Sequence, residues 1–394
     1  MSRLKVAHVT TIDMSLRYLL LNQLVSIRQA GYEVVGISAA GPEVPYIEAA
    51  GIRHIQVPMT RSFAPLADAA SLWRLYKVMR RERFTIVHTH TPKPGLLGQL
   101  AARMAGVPIV INTLHGFYFH DHMHAAWRQF YITTEKIAAR CSDVILSQNS
   151  EDIQTAVHER ICSREKIRHL GNGIDVQRFD RSRLDSLWLA RCRQDLGIPE
   201  GSPVVGFVGR LVEEKGILEL LQAARIVART IPNVRFLIVG PIDHEKSDAL
   251  KPEVAYDYGV GGACIFTGMR PDMPDLYALM DVFVLPSHRE GLPRSPMEAS
   301  AVEVPCVVTD VRGCREVVEQ GRNGLIVPLG DIQALADAIL AVLTRPERAR
   351  EIGREGRRMA LERFDEQILF ERVQAEYARL LRAKRLPVPE LSNA

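Results

Sequence analysis

The chain has 394 residues, 47% of them hydrophobic, which is enough for packed cores in two domains and too apolar for a globally disordered protein. A net charge of +4 excludes a strongly polybasic nucleic-acid binder, although it divides unevenly: residues 1–195 carry 25 Lys+Arg against 17 Asp+Glu, and residues 196–394 carry 25 against 29. Six cysteines with no CxxC pair, no leader-like start in Met1-Ser2-Arg3-Leu4-Lys5, and no apolar run near the roughly 18–20 residues of a membrane span point away from disulfide-rich, secreted and membrane-spanning classes, and towards a cytoplasmic protein whose basic half could meet an anionic membrane or acceptor.

In chain order, short apolar runs alternate with helical patterns. Leu4–Val9 reads as a buried strand. Ser15–Ala30 reads as a helix with Leu20, Leu21, Leu24 and Ile27 on one side and Gly31 as its stop, and Tyr32–Ile37 as the next strand. The segment Leu72–Arg83 mixes Trp73 and Tyr76 with Arg74, Lys77, Arg80 and Arg81 at helical spacing. It suits either a helix lying on an anionic bilayer or an ordinary helix with Leu72, Leu75 and Met79 in the core. Ile86–His88, Ile109–Asn112 and Val144–Leu146 are three more strands. The turn-rich Leu170–Asp175 leads into a polar stretch, Val176–Asp195, expected to be a linker. The rhythm then restarts: strands at Val204–Val208, Val234–Val239, Ile265–Phe266, Val282–Leu285, Cys306–Thr309 and Leu325–Val327, with helices at Gly216–Thr230, Pro274–Met280 and Asp331–Leu343. Two further helices, Glu347–Phe364 and Glu366–Lys384, close it. The βαβα order implies α/β architecture with two parallel, doubly wound sheets. The expected domains are 1–180 and 196–365, with a helix at about 366–384 packing back on the first.

Ligands of such sheets bind at the carboxyl ends of the strands. After Val204–Val208 come Gly209 and Arg210, then Lys215 and a helix start at Gly216. Glycines admit a ligand to the backbone, and two cations beside a helix start suit a diphosphate. An exposed loop with surface charges is the alternative. After Val282–Leu285 come Glu290 and Glu298. Glu298 could simply close a capping box with Ser295, with Pro296 at the first helical position, whereas Glu290 lies in a Gly-Pro loop and is free to accept sugar hydroxyls. Pro305–Asp310 with Gly313 and Glu316 reads as strand, glycine loop and short helix. In the first half, His88-Thr89-His90-Thr91-Pro92-Lys93-Pro94-Gly95 and Asn112-Thr113-Leu114-His115-Gly116 both follow strands. His120, His122 and His124 alternate, a weak pattern for a metal and an equally good polar loop.

Taken together, G-R-L-V-E-E-K-G from Gly209, two glutamates spanning 290–298, the Pro305 segment and N-G-I-D from Asn172 resemble the family 4 retaining glycosyltransferases. The likeness is strong over about 200–330 and looser in the first half, through H-T-H-T-P-K-P-G and L-H-G-F, where it is nearest to subgroups that build bacterial surface polysaccharides and lipid-linked oligosaccharides. It implies a GT-B fold: two Rossmann-like domains with parallel sheets facing across a cleft. It also implies that Arg210 and Lys215 hold a donor diphosphate and that Glu298 binds the ribose. Glu290 would bind the transferred sugar, with Gly291, Leu292 and Pro293, and His115 would reach that sugar. Gly209, Gly240, Gly268, Met269 and Arg270 would frame the base. Thr11, His90, Lys93 and Phe117 would serve the acceptor. Two departures stand out: Thr10-Thr11-Ile12-Asp13-Met14-Ser15 replaces a Gly-Gly loop common after the first strand, and Glu303 stands where glycine is common.

The implied function is transfer of a hexosyl or N-acetylhexosaminyl group from a nucleotide diphosphate sugar, with uridine as the expected base, to a saccharide or polyprenyl-linked acceptor. No cofactor or metal is expected, and the enzyme would be cytoplasmic or peripheral on the membrane's inner face. A nucleotide-sugar epimerase or hydrolase on the same scaffold, and a non-catalytic nucleotide-sugar-binding protein, are the alternatives. A dehydrogenase is disfavoured because no G-x-G-x-x-G follows Leu4–Val9.

Overall fold

The computed structural model describes residues 3–119, 123–243 and 246–389. The chain forms two compact units: Met1–Gly171 with Leu369–Ala394, and Asn172–Ile368. Val176–Asp195 is therefore no free linker. It belongs to the second unit, where Val176, Phe179 and Cys192 are buried in the core and Ser186–Asp195 is helical. Its inward apolar residues are few, Val176, Phe179 and Cys192, while Leu187 and Trp188 stay exposed, which is why its polar composition misled.

The first unit holds a seven-stranded parallel sheet: β1 (Lys5–Ile12), β2 (Glu33–Ala39), β3 (Arg53–Gln56), β4 (Ile86–His90), β5 (Ile109–Leu114), β6 (Val144–Ser147) and β7 (Ile167–His169), in the order β3-β2-β1-β4-β5-β6-β7. Both faces are covered, so the central strands are buried at nearly every position rather than at alternate ones, polar His8, His88, His90 and Asn112 included. Val6, Ile86 and Ile111 pack on one face beneath Leu24, Ile27 and the last helix, Glu366–Ala383, which contributes Phe370, Val373, Tyr377 and Leu381. On the other face Ala7, Val87 and Val110 meet Leu75 and Met79 of helix Pro65–Glu82 and Leu97 and Ala101 of helix Pro92–Met104. The helix expected over Ser15–Ala30 is interrupted by a π-helical stretch, Leu16–Leu20, whose wider turn keeps Leu16, Leu20 and Leu21 all buried.

The second unit has a six-stranded parallel sheet: β8 (Val204–Val208), β9 (Arg235–Val239), β10 (Cys264–Gly268), β11 (Val282–Leu285), β12 (Cys306–Thr309) and β13 (Gly324–Val327), in the order β10-β9-β8-β11-β12-β13. One continuous core runs through it, from Leu220 and Ala224 of helix Ile217–Thr230 to Leu335 and Ile339 of helix Ile332–Leu343. In both sheets the order reverses beside the first strand. The reversal opens a crevice at the carboxyl ends of β1 and β4 in one unit and of β8 and β11 in the other.

Candidate active site

The second unit gathers most of its charged loops at the β8/β11 crevice. Past β8, one 3₁₀ turn, Glu213–Lys215, precedes Gly216, which sits at φ 74° and begins the helix. A Cβ at Gly216 would overlap the carbonyl oxygen of Pro286, so only glycine lets the β8 loop close on the β11 loop. The two loops are then fastened together. His288 N–H donates to the Glu214 carbonyl at 2.9 Å, and the Arg289 guanidinium reaches the Glu214 carboxylate at 2.6 and 2.8 Å. Burial alone would raise the Glu214 carboxyl, but Arg289, with Lys246 and Lys215 nearby, outweighs it and holds the group below the usual carboxylate range. His288 Nε2 lies 2.7 Å from Glu219, and that hydrogen bond raises the imidazole above its ordinary value against the opposing effect of burial.

This frame brings Lys215 and Glu290 together. Nζ donates to Oε1 at 2.5 Å, with side chains 18% and 9% exposed. The pair spans the crevice, with a cation from the first-strand loop and a carboxylate from the strand beyond the reversal. Arg210 is held instead by Asp243, at 2.6 Å, a partner that lies 33 residues away and follows β9. Gly240, at φ 144°, comes so close to Gly209 that a Cβ would overlap the Gly209 carbonyl, and its N–H donates to Gly268 O at 2.9 Å. Met269 beyond it is exposed, while Arg270 is committed to Asp272 at 2.5 and 2.8 Å.

Glu298 does not close a capping box. Its helix, Arg294–Ala301, starts one residue before Ser295 with Pro293 as an N-cap that makes no side-chain bond. Pro296 still falls in the first turn, where a missing N–H costs nothing. Glu298 Oε2 accepts from Tyr277 Oη at 2.8 Å. Burial, and then that carboxylate, push the Tyr277 hydroxyl far above its ordinary range, so it stays a donor. The loop before the helix is tied down as well. Leu292 O accepts from Asn172 Nδ2 at 2.9 Å, and Gly313 allows its helix to lie against the Gly291 carbonyl. Sequence reading missed Asp243 and Tyr277, because no local pattern marks a partner that the fold delivers from another element, the loop after β9 for Asp243 and the helix Met273–Ala278 for Tyr277.

The first unit has its own crevice. Thr11 near the end of β1 and Thr91 after β4 touch through their hydroxyls at 3.1 Å. Thr91 adopts φ 65°, a costly conformation for a β-branched residue, just before helix Pro92–Met104. Several residues expected on the acceptor side are tied up within the unit. Lys93 Nζ contacts Asp68 at 2.6 Å, Ser62 O at 2.5 Å and Thr60 at 3.1 Å. Phe117 is buried and stacked on Phe119 at 4.7 Å. His90 is buried, and His115 is half-buried with both ring nitrogens engaged, at 3.2 Å to His90 and 3.2 Å to Gln148. His8 was missed. Its signal was the strand period: His88 and His90 share one face of β4, and His8 of β1 is in register with His88. Of the alternating histidines, His120 and His122 lie outside the described residues, and His124 Nδ1 accepts from Ala126 N–H at 3.3 Å as a helix cap.

Exposed aromatics mark two places on this unit. Trp73 is 52% exposed, stacks with Tyr76 at 5.1 Å and lies under the Lys77 ammonium at 5.3 Å, while Leu75 and Met79 of the same helix are in the core. The reading of Leu72–Arg83 as an ordinary helix holds for Leu75 and Met79, while Trp73 and Lys77 lie on its exposed face. Elsewhere, the exposed rings of Phe63, Trp127 and Phe130 meet edge-on at 5.7 and 5.8 Å. No helix among the described residues is long and apolar enough to cross a membrane.

Comparison with known proteins places these features. The family described as "Glycosyltransferase Family 4" matches residues 19–178, and "Glycosyl transferases group 1" matches residues 190–359. An Escherichia coli UDP-Gal:alpha-D-GlcNAc-diphosphoundecaprenol alpha-1,3-galactosyltransferase is 31% identical, covering 86% of this chain and 88% of its own. The Staphylococcus aureus capsular polysaccharide biosynthesis glycosyltransferase CapM is 30% identical, over 97% and 99%. In fold, the chain is similar to Anabaena HepE in complex with UDP-glucose, with a TM-score of 0.81, 19% identity and coverage of 96% and 100%. It is similar too to WaaG, a glycosyltransferase of lipopolysaccharide biosynthesis, with a TM-score of 0.74, 16% identity and coverage of 93% and 98%.

Proposed function

This chain belongs to the family 4 (group 1) glycosyltransferases and has their GT-B architecture of two Rossmann-like domains, and on that premise we propose that it moves a hexosyl or N-acetylhexosaminyl group from a UDP-sugar to a polyprenyl-linked saccharide, with retention at the anomeric carbon. The observation that carries this reading is the Lys215–Glu290 pair at 2.5 Å across the β8/β11 crevice. A cation and a sugar-binding carboxylate on neighbouring loops are what a donor with an anionic leaving group and a hydroxyl-rich sugar requires.

In this reading the diphosphate replaces carboxylates as the partner of Lys215 and Arg210. Breaking the anomeric bond gathers negative charge on the departing phosphate. A unit charge pair at about 4 Å contributes roughly 4 kcal/mol at an effective dielectric of 20. Only the part gained in the transition state raises turnover. Glu290, released from Lys215, accepts sugar hydroxyls, beside backbone groups of Gly291, Leu292 and Pro293. Glu298, oriented by Tyr277, accepts from the ribose. Gly209, Gly240, Gly268 and Met269 leave room for the base, and Arg270, already paired, shapes the rim. The acceptor's proton leaves with the phosphate oxygen on the same face, so no divalent metal is needed. Transfer should continue undiminished in excess chelator; loss of turnover there, restored by a divalent metal, refutes that step.

The acceptor side rests on the first unit, with Thr11, His90, Lys93, Phe117 and His115 shaping it from within. Its exposed Trp73, Tyr76 and Lys77, or the Phe63–Trp127–Phe130 cluster, would rest on an anionic membrane surface that carries the lipid-linked acceptor. Incubation with a panel of nucleotide sugars, reading release of nucleoside diphosphate with and without a polyprenyl-diphosphate saccharide, tests the whole reading. Release that depends on acceptor and one UDP-sugar is expected. Turnover without acceptor at the full rate would favour a hydrolase, and binding without turnover a non-catalytic protein. Failure to float with anionic vesicles would remove the membrane contact.

A further inference from the structure

The first unit buries a continuous chain of polar side chains under its last helix. His88 Nε2 lies 2.7 Å from Thr113 Oγ1, and His88 Nδ1 lies 2.8 Å from Tyr377 Oη. Tyr377 Oη lies 3.1 Å from His8 Nε2, and His8 Nδ1 lies 3.0 Å from His90 Nε2. His90 Nδ1 and His115 Nε2 are 3.2 Å apart, and His115 Nδ1 is 3.2 Å from Gln148 Oε1. The series climbs from the sheet interior, where His8, His88 and His90 are at most 1% exposed, to the loops after β5 and β6 at the carboxyl edge.

Each link holds one proton, so the direction of a single link sets all the others. At the outer end an amide oxygen faces His115, and it can only accept. His115 Nδ1 therefore carries a proton and its Nε2 is bare. That bare nitrogen takes a hydrogen from His90 Nδ1, which leaves His90 Nε2 to accept from His8 Nδ1. His8 Nε2 then accepts from the Tyr377 hydroxyl, whose oxygen accepts from His88 Nδ1–H, and His88 Nε2 accepts from Thr113. Every nitrogen is used once, in neutral rings. We propose that Gln148 is a positioning residue that fixes His115 as the neutral tautomer protonated on Nδ1 and, through His90 and His8, sets the direction of every link as far as Tyr377 and His88.

Burial agrees with neutrality: it lowers His8 to about 3 and His115 to about 4, the latter against the Gln148 hydrogen bond, and holds His88 and His90 well below the ordinary imidazole value with help from the neighbouring rings. The titratable groups facing the cluster are these four imidazoles, Tyr377, and Tyr32, whose ring meets Tyr377 edge-on at 5.8 Å. Nitrogens of His8, His88 and His90 lie within 4.8 Å of one another, a spacing that a metal could also use. Yet all six of their ring nitrogens are already hydrogen-bonded, two of them to each other, so a metal would have to break at least two of these bonds.

Two-bond proton–nitrogen correlation spectra of the full chain with ¹⁵N-labelled histidine test this, with signals assigned through single His→Gln variants. Four imidazoles should show a protonated Nδ1 and bare Nε2, unchanged from about pH 5.5 to 8.5. Protonated Nε2 at His115, titration of any of the four in that range, or stoichiometric metal retained by the purified wild type and lost in His8→Gln overturns the proposal; none of these readings needs a Gln148 variant to fold. In Gln148→Met, which keeps the side chain's size and removes the amide oxygen, the series can run in either direction and His115 should become a mixture of tautomers. An unchanged His115 signal in a folded variant also overturns it. The bearing on catalysis rests on the reading of His115 given above: kcat should fall about tenfold, the scale of one net hydrogen bond, with the donor KM unchanged. A normal kcat beside an altered tautomer defeats that role for His115 and leaves the relay standing.

Discussion

Lys215 is nearly buried and already paired, so its removal separates catalysis from stability. Lys215→Ala leaves Glu290 as a poorly solvated carboxylate but disturbs no core contact, and the fold should survive. Losing one preorganised charge typically costs roughly 2.7–4 kcal/mol, or about 100- to 1000-fold in turnover. Steady-state nucleoside diphosphate release beside circular dichroism checks it, and near wild-type turnover would contradict the leaving-group role. Tyr277→Phe acts on Glu298 instead. It removes a buried hydrogen bond to a charged group, about 1.5–3 kcal/mol, so urea unfolding should weaken while donor KM rises. An unchanged KM would mean that Glu298 does not need that orientation. His288 gives a pH signature. Its folded value is raised by Glu219, so the pair stabilises fully below the unfolded value near 6.5 and the contribution fades as pH rises through the raised folded value. The melting-temperature gap between wild type and His288→Gln should therefore be wider at about pH 6 than at about pH 9; a constant gap would refute it. The charged residues themselves were legible in the sequence, since glycines, cations and carboxylates recur at strand ends. Their partners were not: Asp243, from the loop after β9, and Tyr277, from a helix, are 33 and 21 residues away.

Among elements, the central strands were the readable part. Val204–Val208, Val282–Leu285 and Cys306–Thr309 have the expected bounds because they are apolar throughout, as strands buried on both faces must be. The edge strands β3 and β7 escaped notice: Arg53–Gln56 and Ile167–His169 are short, polar and half exposed, with nothing to distinguish them from loop. The Ser295–Glu298 capping signal also misled, because the fixed turn at Pro293 starts the helix earlier. The β8 loop depends on one backbone position. Gly216→Ala should cost more than about 1 kcal/mol, from its left-handed φ and the clash with Pro286, and should cut turnover by displacing Lys215. Thermal melting and donor titration read the two effects; a variant with unaltered melting would show that the two loops can part without strain.

For the whole molecule, the two-domain arrangement was legible from the repeated βαβ rhythm, whereas the boundary was blurred by a polar segment that packs. The last helix gives the sharpest test at this scale. It supplies Leu369, Phe370, Val373, Tyr377, Leu380 and Leu381 to the first unit's core, at roughly 1.5–3 kcal/mol each, against a typical domain stability of about 5–15 kcal/mol. A chain ending before Leu369 should lose protection from proteolysis throughout 3–171 while 172–368 resists; equal resistance of both would show the helix to be dispensable. The same connectivity sets a timetable during synthesis. Because the chain departs at Gly171 and returns only at Leu369, about 200 residues must leave the ribosome before the first-made sheet receives its cover, a wait of roughly 10–40 s at 5–20 residues per second. Through that interval the part of its apolar face that the last helix covers, beside Val6, Ile86 and Ile111, is open to solvent or to a chaperone, and the unit begun first is the one finished last.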